Sequence, residues 1–226
     1  MKIKKDTITR GIIVTALFWL SPYFKYIPIT LLNLNAKNIS GSTKVVLSAF
    51  SSLILVFIFY FIYRKELKED LKKFKDNILE NIDIGFKYWI IGLIIMMASN
   101  YIIRFVFHGQ GANNEQAVQT MIKSFPLLML IDGGLIAPFT EEITFRKTIK
   151  DIFKNKWIFV FLSFLLFGGA HVIIGAKTWI DYLYIIPYGS LGAALALSYY
   201  ESDTIFTPLF THMMHNTILM LLSIIL

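Results

Sequence analysis

Val45-Val-Leu-Ser-Ala-Phe-Ser-Ser-Leu-Ile-Leu-Val-Phe-Ile-Phe-Tyr-Phe-Ile-Tyr63 runs for 19 residues without a formal charge. A helix of that length, at about 1.5 Å per residue, covers most of a hydrocarbon layer roughly 30 Å thick. Backbone placed in lipid has to satisfy its own hydrogen bonds, so the stretch reads as a transmembrane helix. Tyr182 to Tyr200 is uncharged as well, and further apolar stretches lie near 11–33, 88–107, 125–145, 157–176 and 205–226. The expected fold class is all-α, a polytopic membrane bundle with about seven transmembrane helices.

Composition agrees. The 226 residues are 56% hydrophobic and 16% charged, with a mean hydropathy of +0.61, outside the range of soluble domains. There is no cysteine, which excludes disulfides, thiolate ligands and cysteine nucleophiles. The first apolar stretch follows Lys2, Lys4, Lys5 and Arg10 as a signal peptide would, yet no small-x-small site closes it. It reads as a retained first helix, broken near Pro22 and Pro28.

The net charge of +7 does not call for nucleic acid. Lys2 to Arg10 supply four cations, Arg64 to Lys75 six and Arg146 to Lys156 five, together 15 of the 22 lysines and arginines. All three blocks flank apolar stretches, and the positive-inside rule places them in the cytoplasm. The expected location is the cell membrane, multi-pass, with the N-terminus cytoplasmic and the C-terminus outside. The segment 64–83 reads either as an amphipathic helix on the anionic cytoplasmic leaflet or as a solvated linker.

The chain shows no repeat or linker, so 1–226 is taken as one membrane domain. Polar residues concentrate after about residue 120, and 120–226 is the expected catalytic core. His108-Gly-Gln-Gly-Ala-Asn-Asn114 marks an extramembrane loop by its glycines and asparagines, with His108 a loop residue.

Three motifs fall on separate apolar stretches: Glu141-Glu142-Ile-Thr-Phe-Arg146, Phe167-Gly-Gly-Ala-His171 and His212-Met-Met-His-Asn216. Carboxylates in such surroundings are costly to keep and point to chemistry. Neighbouring helical residues diverge by about 100°, whereas Glu142 and Arg146 are four apart and share a face. The expected division is a cavity-facing Glu141 as general base and a Glu142 paired with Arg146. A helix-end ion pair is the competing reading. His171 follows two glycines that let helices approach, so it is either a site residue or a packing residue. His212 and Asn216 share a face and can donate to a developing oxyanion, or they can serve as interhelical hydrogen bonds. His215 and Asp132 read as structural.

Depth ties these groups together. Glu141 lies 13 residues before Lys154, and His171 lies 15 after Lys156. With a turn at 154–156, both come about 20 Å from it and level with each other. With Asp203 as the next cytoplasmic corner, His212 and Asn216 fall about 13 to 20 Å along the last helix.

The three motifs, in this order, resemble those of the CAAX-protease and bacteriocin-processing (abortive-infection) family of intramembrane proteases: Glu-Glu-x-x-x-Arg, Phe-x-x-x-His and His-x-x-x-Asn/Asp. The resemblance covers about 120–226 and departs at Lys147, where many members have glycine. It implies that Glu141, assisted by His171, activates water, that His212 and Asn216 hold the oxyanion, and that Glu142 and Arg146 support the site. It implies no required cofactor, although zinc is an alternative, with His171, His212 and Glu141 as candidate ligands. The compact His-Glu-x-x-His arrangement is absent.

The expected function is an intramembrane endopeptidase acting near the cytoplasmic face, with a peptide or membrane-protein substrate and the lipid bilayer as partners. The alternative is a non-enzymatic bacteriocin self-immunity protein that acts by binding. A transporter fits the composition but lacks an evident repeat.

Overall fold

The computed structural model describes residues 5–31, 33, 35 and 39–225. Lys2 and Lys4 of the first basic block lie outside the described residues. Among those described, every regular element is helical. α1 (Lys5–Leu20) ends in a 3-10 turn at Ser21–Tyr23 containing Pro22, and α2 (Tyr26–Leu31) follows.

α3 (Gly41–Asp76) is 36 residues long, about 54 Å at helical rise. It opens on Ser40, whose hydroxyl accepts from the Thr43 N–H at 3.1 Å, and it outruns the apolar layer well before it ends. Segment 64–83 is therefore neither a separate surface helix nor a linker. Tyr63, Leu67, Asp70 and Phe74 are buried while Arg64, Lys65, Lys68 and Lys72 are exposed. That i, i+4, i+7, i+11 spacing continues the buried face of the span without a helix breaker, so the helix carries on. The chain turns at Asn77 and α4 (Ile78–Phe105) begins at once.

After the loop at 106–112, where His108 adopts a left-handed conformation with φ of 57°, comes α5 (Asn113–Ser124). The stretch 126–152 is one long rod of alternating geometry. It comprises α6 (Pro126–Ile131), a π-turn at Asp132–Ile136, α7 (Ala137–Glu142), a second π-turn at Ile143–Lys147, and α8 (Thr148–Ile152). Asn155 then caps α9 (Lys156–Val172) by accepting from the N–H groups of Trp157 and Ile158. α10 (Trp179–Leu183), α11 (Ile185–Ser202) and α12 (Phe206–Ile225) complete the bundle.

This is a polytopic membrane bundle. Four helices, Thr43–Asp76, Ile78–Phe105, Trp179–Ser202 and Phe206–Ile225, are long and apolar enough to cross a membrane, and Lys156–Val172 is a shorter apolar helix. The remaining expected spans correspond to α1–α2 and to the interrupted 126–152 rod. α11 lies between α9 and α4. Its crossing with α9 is set by glycine. A Cβ on Gly168 would stand 2.6 Å from the Ile185 carbonyl oxygen, and one on Gly189 would stand 2.7 Å from the Phe164 ring.

The basic blocks meet at one end. Arg10 of α1 pairs with Glu66 of α3 and lies 3.6 Å from Asp151 of α8. Lys73 of α3 and Lys150 of α8 converge on Asp203, at 2.7 and 3.0 Å. Asp203 itself takes the left-handed conformation that ends α11. Beside it, the Thr204 hydroxyl donates to the Asp70 carbonyl at 2.8 Å and the Ile205 N–H to its carboxylate at 3.3 Å.

Partial burial works to raise the Asp203 pKa, but hydrogen bonds from Lys73 and Lys150 outweigh it and hold the carboxyl below its ordinary value. A depressed carboxylate pKa gives stability that is present at neutral pH and lost as pH falls through the folded-state value. Asparagine also tolerates the left-handed conformation. Asp203→Asn should therefore remove the charge alone, lowering the melting temperature at pH 7 by about 1–3 °C. The difference from the native protein should vanish at pH values below the aspartate range, as read by thermal unfolding in detergent.

Candidate active site

The two π-turns bracket the glutamates, and proline explains the first of them. The Ala137 N–H bonds to the Asp132 carbonyl, five residues back. In the same register the Gly133 carbonyl would need the N–H of residue 138, which is a proline and has none. The Asn216 side chain of α12 supplies the missing donor, its Nδ2 lying 2.9 Å from the Gly133 oxygen. The second π-turn is tied down similarly: the Ser163 hydroxyl of α9 donates to the Phe145 carbonyl at 2.9 Å. Wide turns of this kind recur at functional sites.

Glu141 and Glu142 address one imidazole from two directions. Glu142 Oε1 is 2.8 Å from His212 Nδ1, and Glu141 Oε2 is 3.7 Å from His212 Nε2. The divergence of consecutive helical residues, by about 100°, is what lets the pair bracket a ring with nitrogens on two edges. Glu142 is fully buried and Arg146 Nη1 lies 3.2 Å from it. The pair is ionic rather than hydrogen-bonded, because no guanidinium nitrogen meets hydrogen-bond geometry among the described residues. Glu141 keeps 15% of its side chain exposed, against none for Glu142, with the Oε2 that faces His212 buried.

His171 stands apart from this cluster. Its Nδ1 is 2.8 Å from the Phe167 carbonyl oxygen, and its ring lies against Phe167 at 4.4 Å and Tyr188 at 4.8 Å. No hydrogen bond or ion pair joins it to Glu141 among the described residues, so level depth along two helices has not produced direct contact. Phe167 mediates. Its ring faces His212 at 5.6 Å and lies 4.3 Å beneath the Arg146 guanidinium. The sequence held it in plain view as the first residue of the second motif, but an aromatic residue in a membrane helix carries no signal of its own.

Two other polar residues find structural partners. Trp89 Nε1 donates to His215 Nδ1 at 3.1 Å, joining α4 to α12. Asp132 interacts with the Ser52 hydroxyl of α3. Among the described residues, no three histidine or carboxylate side chains are grouped as metal ligands. Glu141 and His212 offer two donors and His171 lies beyond Phe167. As arranged, the zinc candidates do not make a three-ligand site.

Residues 123–218 match the family described as "Type II CAAX prenyl endopeptidase Rce1-like". That segment contains all the candidate site residues. Over that segment the chain is similar to the CAAX protease family. This match and the peptidase relative together identify it as a membrane protease. It is 28% identical over 184 residues to "Putative membrane peptidase YdiL" of Bacillus subtilis (strain 168), covering 79% of this chain and 70% of that protein. It is also 29% identical over 109 residues to UPF0177 protein YaiH of Lactococcus lactis subsp. lactis (strain IL1403), covering 48% of this chain and 43% of that protein. To UPF0177 protein YxdF of the same organism it is 24% identical over 142 residues, covering 60% of this chain and 76% of that protein. No solved structure matches it.

The geometry separates the glutamates experimentally. Glu142→Ala strands a fully buried guanidinium and should cost about 3–5 kcal/mol. Glu141→Gln removes a carboxylate whose Oε2 has no hydrogen-bond partner, and should leave stability within about 1 kcal/mol of the native protein. Thermal unfolding of both variants in the same detergent checks the contrast.

Proposed function

We propose that this membrane protease is an intramembrane endopeptidase that hydrolyses a peptide bond of a peptide or membrane-protein substrate near the cytoplasmic face, with Glu141 as the base. The observation that carries the reading is His212 bracketed by two carboxylates, of which Glu141 alone keeps exposed surface. Glu142, committed to Arg146 and His212, is unsuited to proton transfer. It acts as the orienting group, as a carboxylate does on the far nitrogen of a catalytic histidine.

Glu141 removes a proton from water as the oxygen attacks the scissile carbonyl, and the proton passes to the departing amine when the tetrahedral intermediate collapses. His212 and Asn216 hold the oxyanion. The Asn216 amide has a second N–H beyond the one on the Gly133 carbonyl. When the His212 ring carries both protons, one is held by Glu142 and the other, on Nε2, is available to the substrate. His171 assists with Nε2, since its Nδ1 is engaged by the Phe167 carbonyl. No step needs a metal ion. The cytoplasmic placement, with a cytoplasmic N-terminus, is supported by the gathering of Arg10, Lys73, Lys147 and Lys150 at one end of the bundle.

Glu141→Gln should lower kcat by about 10²–10⁴-fold while expression and membrane insertion persist. Suitable probes are internally quenched peptides, with and without a farnesylated Cys-aliphatic-aliphatic-X terminus. Proteolysis retained in that variant would sink the assignment. Treatment with 1,10-phenanthroline should change the rate by less than about twofold, and a loss restored by added zinc would overturn the metal-free route.

A further inference from the structure

Tyr188 lies outside all three motifs. Its ring stacks on His171 with centroids 4.8 Å apart and planes 20° from parallel, while the Phe167 ring lies 4.4 Å from the imidazole, tilted by 42°. With Nδ1 held by the Phe167 carbonyl at 2.8 Å, the imidazole is held by two ring contacts and one hydrogen bond. Nε2 takes part in no hydrogen bond or ion pair among the described residues.

The spacing that permits this stack comes from the backbone. Tyr188 precedes Gly189, where an added Cβ would lie 2.9 Å from the Phe164 carbonyl oxygen as well as against its ring. Gly168, three residues before His171, would meet the Ile185 carbonyl oxygen at 2.6 Å. These obstacles are main-chain atoms that cannot swing aside, so α9 and α11 approach as closely as they do only because both positions lack a side chain. The hydroxyl end of Tyr188 faces Asn114, at the start of α5. Imidazole and phenol take the near-parallel arrangement favoured by aromatic pairs.

We propose that Tyr188 is a positioning residue for the hydrolysis, acting through His171 by holding the imidazole plane so that Nε2 keeps one orientation. The inference rests on the participation of His171 argued above. It makes stacking, rather than the phenol hydroxyl, the property that matters.

Kinetics on whichever quenched peptide the native protein cleaves provides the test. Tyr188→Leu, which removes the planar partner, should lower kcat by about tenfold or more with KM within about twofold, since the loss falls on the chemical step and not on substrate binding. Tyr188→Phe and Tyr188→Trp keep a stacking face and should remain within about threefold of native kcat. An unchanged kcat in Tyr188→Leu, or a loss expressed mainly in KM, overturns the proposal. If the leucine variant does not give a monodisperse protein in detergent, the aromatic pair decides. Retained activity in both variants then supports stacking, and a loss above about tenfold in well-folded Tyr188→Phe overturns it. His171→Ala separates the two levels of the argument: native activity in that variant defeats the role of His171 itself, whatever the Tyr188 variants show.

Discussion

Glu142 is the constraint on which the rest of this structure depends. An ionised carboxylate with no exposed surface carries a desolvation cost of several kcal/mol even after relaxation, and only close, well-directed partners offset it. Arg146 provides the charge from one turn along the same rod, and His212 provides the hydrogen bond from α12. Holding His212 fixes the rotation of α12. Once that rotation is set, Asn216 reaches the Gly133 carbonyl one turn further on, and His215 faces α4, where Trp89 meets it. Arg146 in turn lies over Phe167 and so registers α9 against the rod. One buried carboxylate thereby orders the elements that carry every candidate site residue.

Backbone accounting explains why the rod has the shape it does. Pro138 cannot donate, and in lipid an orphaned carbonyl has no water to turn to. The π-turn and the Asn216 amide answer that need together, so Asn216 has a structural duty before any catalytic one. At the second π-turn the Ser163 hydroxyl donates to the Phe145 carbonyl. These bonds come from different helices, α12 and α9, which makes the irregular geometry of the rod a property of the assembled bundle and not of the segment.

Much of this was legible in the sequence for physical reasons that can be named. Uncharged runs such as Val45–Tyr63 mark spans because charge is expensive in lipid. Glu142 and Arg146 were paired because i and i+4 share a helical face. The turn near 155 and the corner at Asp203 followed from polar residues between apolar stretches. What was not legible depended on rotation about helix axes. Equal rise placed Glu141 and His171 at one depth, but rise says nothing about azimuth, and azimuth gave Glu141 to His212. The extension of α3 past Tyr63 was not legible because its charges fit a lipid surface or a solvated linker, while the buried face formed by Leu67, Asp70 and Phe74 continues in register beneath them.

Three histidines in the described part of the bundle have Nδ1 engaged, and the partners differ in kind. The Phe167 carbonyl and the Glu142 carboxylate are acceptors, so His171 and His212 carry a proton on Nδ1 and present Nε2 outward. Trp89 is a donor only, so His215 accepts at Nδ1 and its neutral ring carries the proton on Nε2. His212 and His215 are three residues apart on one helix and look equivalent as letters. Their partners make them opposites: one donates from Nδ1 to Glu142 and directs Nε2 toward Glu141, the other spends its Nδ1 lone pair holding α12 to α4. The chemical identity of each imidazole is therefore decided by what approaches its far nitrogen, which is why neighbouring helices, and not the motif spacing, determine which histidine can serve the reaction.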